Sequence, residues 1–262
     1  MKQMRSGLGA RGLQIIVVAG GLMAPPQAHA YHPLVTDDTG TQGLGGNQLE
    51  LGYDYARSKA AGVTGIERAV PFTYTRGLTD DLDVFAGVAR QTSPGNGWSN
   101  VAVGAKWRFF EDEAARFSLA LKPEIVLPVS RAREAAGFGN GKTSYGLNLI
   151  LTRETDFGEL HFNLAAERSN FADTVTFSDR RNLYRLSVAP VWHVAEGWKA
   201  ALDLGVQTNP DRAEKSRMGY MELGLVYSPS ENLDLSFGLT RDIMDGAVST
   251  TSASFGLTWR FR

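Results

Sequence analysis

Near the C-terminal end of the chain, Ala253, Phe255, Leu257, Trp259 and Phe261 alternate with Ser254, Gly256, Thr258 and Arg260. Successive side chains of a β-strand point to opposite faces, so this stretch forms a strand with one apolar and one polar face. The same division recurs at Leu233, Leu235, Phe237 and Leu239. It returns at Trp198, Ala200, Leu202, Leu204 and Val206, and at Val101, Val103, Ala105, Trp107 and Phe109. Weaker copies run through residues 49–55, 69–76, 82–88, 117–125, 145–151, 160–166, 184–192 and 218–227. The pattern predicts about twelve strands of roughly ten residues, the length that crosses a bilayer when tilted.

The connections alternate in length. Residues 77–81, 110–115, 154–158, 195–197 and 228–232 are short and rich in Asp, Glu, Gly or Ser. Residues 58–65, 91–97, 128–142, 170–181, 208–217 and 242–250 are longer. Such alternation matches an all-β transmembrane antiparallel barrel with short periplasmic turns and longer extracellular loops. Aromatic placement agrees, because amphipathic rings favour the membrane interfaces. Tyr74, Trp107, Phe117, Trp192, Trp198, Tyr227, Trp259 and Phe261 fall at the short-turn ends of their strands, and Tyr53, Tyr55, Trp98, Tyr145 and Tyr184 toward the other ends. A secreted soluble sandwich or lipocalin-like barrel would alternate in the same way with its apolar face inward. Strand number, loop lengths and end-placed aromatics favour the membrane barrel.

Composition narrows the function. The 27 basic and 28 acidic residues balance, which argues against a nucleic-acid partner. Cysteine is absent, excluding disulfide scaffolds and thiolate chemistry. A mean hydropathy of −0.20 is too polar for a bundle of membrane helices. Lys2, Arg5 and Arg11, an apolar stretch over residues 13–24 and Ala28-His29-Ala30 together read as a secretory signal peptide. The expected organisation is therefore a signal peptide at 1–30, a periplasmic N-terminal segment at 31–46 and a barrel at 47–262, located in the bacterial outer membrane. Outer-membrane lipid is then the obligatory surrounding partner.

The polar face faces the lumen in this reading. Glu50, Asp54, Asp83, Lys106, Arg108, Lys122, Glu124, Glu167, Arg185, Lys199, Asp203, Glu222, Asp234 and Arg260 are candidates to line it, with signs too mixed for strong single-ion selectivity. They form either a polar path or pairs that hold the barrel shape. Gly52, Gly104, Gly205, Gly224, Gly238 and Gly256 leave space between them. The N-terminal segment is too rich in Gly, Thr and Asp for a transmembrane strand. It can enter the lumen from the periplasmic side, where Asp37 and Asp38 would meet Lys106, Arg108, Lys122 or Lys199, or else remain a loose tail. No metal site or cofactor is expected, since His32, His161 and His193 lack the spacing of a local metal site. A phospholipase-type enzyme would need a serine and a histidine near the lipid, and no Gly-x-Ser-x-Gly turn follows the signal. A structural or adhesive surface barrel is the third reading, weakened by loops of ordinary length.

Three stretches resemble a family of bacterial outer-membrane transport proteins associated with the meta-cleavage pathway of phenol degradation. They are His32-Pro33-Leu34-Val35-Thr36-Asp37-Asp38-Thr39-Gly40-Thr41-Gln42-Gly43 with Asn47-Gln48-Leu49-Glu50-Leu51, then Thr75-Arg76-Gly77-Leu78-Thr79-Asp80-Asp81-Leu82-Asp83, then Leu121-Lys122-Pro123-Glu124-Ile125-Val126-Leu127-Pro128 continuing to Gly139-Asn140-Gly141-Lys142-Thr143-Ser144-Tyr145. The resemblance implies passive passage of small molecules, aromatic or hydrophobic ones among them, and no catalytic residues. The last strand, ending Trp259-Arg260-Phe261-Arg262, resembles the aromatic C-terminal strand by which the barrel assembly machinery recognises its clients.

Overall fold

The computed structural model describes residues 32–60, 62–172, 179–212, 214–244 and 248–262; the expected signal peptide lies outside them. The strands are β1 (Asn47–Ala60), β2 (Val63–Gly77), β3 (Leu82–Ser93), the two-residue β4 (Gly97–Trp98), β5 (Ala102–Asp112), β6 (Phe117–Val126), β7 (Ser144–Thr155), β8 (Gly158–Arg168), β9 (Asn182–Ala195), β10 (Trp198–Thr208), β11 (Arg217–Ser230), β12 (Leu233–Asp242) and β13 (Val248–Phe261). Both β4 and β5 pair with β3, so they act as one interrupted strand and the wall is a closed antiparallel barrel of twelve strands. Every neighbour in the wall is a neighbour in sequence, except where β13 pairs back with β1 from Asn47↔Phe261 to Ala60↔Val248. Closure leaves no strand edge, the condition for spanning a bilayer with strands.

The period-two pattern maps onto the two faces of this wall. Leu51, Leu257 and Leu235 are register partners in series across β1, β13 and β12, and all three are exposed on the outside. One residue along, Glu50 and Thr258 are partners facing inward and buried. At the short-turn end the aromatic residues pack on one another. Trp198 stacks on Tyr227 with ring centres 4.6 Å apart, and Trp259 on Phe261 at 4.5 Å.

Two departures from strict alternation have local causes. Phe109 and Phe110 are consecutive yet both exposed, because a bulge between Arg108 and Phe110 lets two residues of β5 oppose one on β6. The stretch 58–65, expected as a loop, continues the β1–β2 ladder through Ser58↔Gly65 and Ala60↔Val63. Beyond the hydrocarbon a paired strand can be polar on both faces, so its residues carry no alternating signal. The longest predicted loop, 128–142, contains a short helix, α1 (Arg131–Ala135). Its Glu134 is buried and accepts hydrogen bonds from the Gly141 and Ala172 N–H groups at 2.6 and 2.9 Å, tying this loop to the one after β8.

A charge forced onto the outer face is expected to be expensive. Leu257→Arg should lower barrel stability by roughly 2–4 kcal/mol in a refolding titration, as for a cation near the bilayer midplane.

Candidate functional site

The interior is built around the residues that precede β1. Gly46 N–H donates to Gly43 O and Gly77 N–H to Gly46 O, at 3.0 and 2.9 Å, folding the chain back where it would otherwise leave the barrel. A Cβ on Gly77 would fall 1.8 Å from Gly43 O, so this crossing requires glycine. From there residues 42 back to 32 run around the inner wall. Gln42 N–H donates to both carboxylate oxygens of Asp83 at 3.1 Å, and its side chain donates to Gln48 at 3.0 Å. The Thr39 hydroxyl meets Ser118 at 2.5 Å, and its N–H donates to Thr152 at 3.1 Å. Asp37 forms an ion pair with Lys122 and lies 3.7 Å from Lys106, while its backbone exchanges hydrogen bonds with the Asn163 amide at 2.9 and 2.8 Å. Asp38 reaches Lys106 at 3.4 Å. Thr36 N–H donates to Asp203 at 2.7 Å, and its hydroxyl bridges Asp203 and Ser187 at 2.8 and 2.7 Å.

The apolar start of the segment finds an apolar patch. Leu34 is buried with Ala189, Val191 and Ala201. Three glycines read from the sequence as open space are the floor on which this part lies. A Cβ on Gly224 would stand 3.0 Å from Leu34, one on Gly238 2.9 Å from Pro33, and one on Gly256 2.2 Å from the His32 ring. His32 Nδ1 lies 2.6 Å from Ser236 Oγ, and burial pushes the imidazole down to about 4, leaving the ring neutral at neutral pH. Gly104 and Gly205 are likewise covered by the rings of Phe85 and Tyr220, and Gly52 by Pro71. At these six glycines the expected free space is filled, half by the wall's own side chains and half by the N-terminal segment, whereas a Cβ on Gly146 would meet nothing closer than 3.6 Å.

The remaining candidates sort by partner. Glu50, Asp83, Lys106, Lys122, Arg185, Asp203 and Glu222 are buried on the inner face, and Asp54, Glu124 and Glu167 are half-buried there. Asp203 also accepts from Tyr220 at 3.2 Å, and Glu167 from Ser169 at 2.6 Å. Asp234 pairs with Arg260 at 2.7 Å across adjacent strands. Two expected mates of the acidic pair are engaged elsewhere. Arg108 binds Asp81 at 2.8 Å and Glu111 at 3.3 Å, and Lys199 binds Glu159 at 3.3 Å. Both lie too near the short-turn end to reach Asp37. Residues 32–42 thus lie against the inner wall, the first of the two alternatives read from the sequence, where Asp37 and Asp38 meet the buried Lys106 and Lys122.

Sequence reading passed over Glu159, whose carboxylate lies 3.3 Å from His161, 3.4 Å from His193 and 3.3 Å from Lys199. Its place beside a turn, at the start of β8, concealed it. Among the described residues no group of His, Asp and Glu has the geometry of a metal site. Below the segment a cavity of about 550 Å³ lies at the short-turn end, bordered by Asp38, Gln42, Gln48, Arg260 and Arg262.

A closed barrel, apolar outside and charged within, with its own N-terminal segment laid around the inner wall, has the architecture of outer-membrane barrels. The chain belongs to the family described as "Putative MetA-pathway of phenol degradation", which matches residues 35–261, as the resemblance of its three stretches implied. Its fold is similar to that of the COG4313 outer membrane channel from Pseudomonas putida F1, with a TM-score of 0.65 at 13% identity over 86% of this chain and 98% of that one. It is also similar to the NanC porin (TM-score 0.59, 12% identity, 80% and 98% covered) and to the KdgM porin in complex with disordered oligogalacturonate (0.54, 12%, 81% and 99%). No curated protein matches the chain.

Removing the acidic pair should loosen the segment. With Asp37→Ala and Asp38→Ala combined, a protease that cuts beside aliphatic residues such as Leu34, Val35 and Leu44 should reach residues 32–45 of the folded barrel faster than in the parent. Thr36→Val, which removes the hydroxyl that bridges Asp203 and Ser187 and leaves the backbone N–H in place, should destabilise the docked segment by about 1–3 kcal/mol. Mass spectrometry of the cleavage products checks both.

Proposed function

We propose that this protein is an outer-membrane channel for passive passage of small molecules, aromatic or hydrophobic compounds among them, and that residues 31–46 narrow or close it at rest. The observation that carries the reading is the charged inner wall whose buried Lys106 and Lys122 form ion pairs with Asp37 and Asp38 of a segment of the same chain. Twelve strands lie between barrels of eight, filled by side chains, and those of sixteen or more, which hold a water-filled channel. In that range the contents of the lumen govern conductance. The folds it resembles include a channel and two porins, which supports transport over catalysis; the family description supports phenol-related compounds as the cargo.

The inner face supports polar small solutes as readily as aromatic ones, because Phe85, with Lys122 Nζ 5.1 Å above its ring, lies among carboxylates and amides. Uptake therefore has to be measured for both classes. Deleting residues 31–45 should raise single-channel conductance of the refolded protein, and Asp37→Ala with Asp38→Ala should raise it partially. Equal conductance in all three proteins would refute closure by the segment. Loss of both conductance and phenol uptake in the parent would refute the channel.

For assembly, the reading is that the barrel assembly machinery recognises the final strand. Asn47↔Phe261 is the last register pair of the closing seam, so removing Phe261 and Arg262 should reduce membrane insertion while removing Arg262 alone should not. Quantitative immunoblotting of outer-membrane fractions distinguishes the two.

A further inference from the structure

At the short-turn end of the outer surface Arg116 pairs with Glu154 at 3.7 Å and with Asp156 at 2.9 Å, and Arg153 is exposed. At the long-loop end Arg57, Arg68 and Arg241 are exposed and Arg90 is half-exposed, and none of the four has a carboxylate partner among the described residues. The register places them side by side. Arg241 is the partner of Thr251, Thr251 of Arg57, Tyr55 of Arg68, and Trp98 of Arg90. Their strands, β12, β13, β1, β2 and β3, are consecutive in the wall. At about 4.8 Å per strand, the band is roughly 20 Å wide.

Two of the four are held in place by aromatic rings. The Arg68 guanidinium lies 5.9 Å above Tyr55, and that of Arg90 5.3 Å above Trp98. A guanidinium over an aromatic ring is held by its charge on the ring face, and its planar fork of N–H donors suits phosphate oxygens. Immediately toward the membrane, Tyr53, Phe72, Trp98 and Phe255 form an exposed apolar wall, with Phe72 and Trp98 6.1 Å apart. A ligand matched to this sector has several phosphates at the level of the arginines and hydrocarbon chains directly beneath them.

We propose that this sector of the outer wall docks a multiply phosphorylated glycolipid of the outer leaflet, its phosphates on Arg57, Arg68, Arg90 and Arg241 and its acyl chains on the apolar surface below. Neither inorganic phosphate nor a nucleic acid would use both halves of the surface. The surface is separate from the lumen, so the proposal stands whatever passes through the barrel.

The test compares the parent barrel with the variant carrying Arg57→Gln, Arg68→Gln, Arg90→Gln and Arg241→Gln, both in detergent. The unfolding midpoint is read from heat-dependent gel mobility as diphosphoryl lipid A is added. The parent's midpoint should rise with lipid, and the lipid concentration for half the effect should be at least roughly tenfold higher in the variant. Without lipid the two midpoints should agree. An Arg→Lys variant at the same four positions should retain most of the response, and the pairs Arg57→Gln with Arg241→Gln and Arg68→Gln with Arg90→Gln give the same reading if the fourfold variant fails to fold. An equal response in parent and variant would overturn the proposal. So would an equal response to dephosphorylated lipid A, to phosphatidylglycerol at matched phosphate, or to inorganic phosphate alone.

Discussion

In hydrocarbon, an unpaired backbone N–H or C=O costs several kcal/mol, so a sheet that crosses the membrane has to leave none of them open. The pairing of β13 with β1 from Asn47↔Phe261 to Ala60↔Val248 meets that demand, and the other features follow from it. Once the sheet is closed, each strand has one face on lipid and one on the lumen. Leucine, phenylalanine and tryptophan must then alternate with whatever the interior needs. Closure also makes the interior a confined space in which fourteen charged candidates from different strands must coexist.

How those charges are accommodated sets the character of the interior. Asp234 and Arg260 solve it locally, as neighbours on the wall. Lys106, Lys122 and Asp203 are satisfied by Asp37, Asp38 and Thr36 of a segment that forms no part of the sheet. A docking interaction made of ion pairs and hydrogen bonds, with one apolar anchor at Leu34, is strong as an ensemble and weak bond by bond. The wall's strand-to-strand backbone hydrogen bonds are made without it. The proposed gating rests on that separation between the wall and its filling.

On the outer surface, Arg68 and Arg90 lie over the rings of Tyr55 and Trp98 at the long-loop end, beside the exposed apolar residues Tyr53, Phe72 and Phe255. The proposed glycolipid site rests on that combination of cations and apolar surface.

The number of strands and their two-faced character were legible in the sequence, because alternation with period two is a property of the few residues within one strand. Trp259, Leu257 and Phe255 announce the lipid face without reference to any other part of the chain. Local pattern falls silent where the fold is no longer constrained by lipid, so the polar extension of β1 and β2 past Ser58 read as a loop. It is also silent about volume. Gly224, Gly238 and Gly256 signal small residues on the inner face but not whether the space above them is water or His32, Pro33 and Leu34. Only the tertiary structure decided that, and with it the choice of Lys106 and Lys122 over Arg108 and Lys199 as partners for Asp37 and Asp38. The physical reason is range: a strand's two faces are set by neighbours one and two residues away. Asp37 and Asn163, 126 residues apart, meet only after the barrel has closed around them.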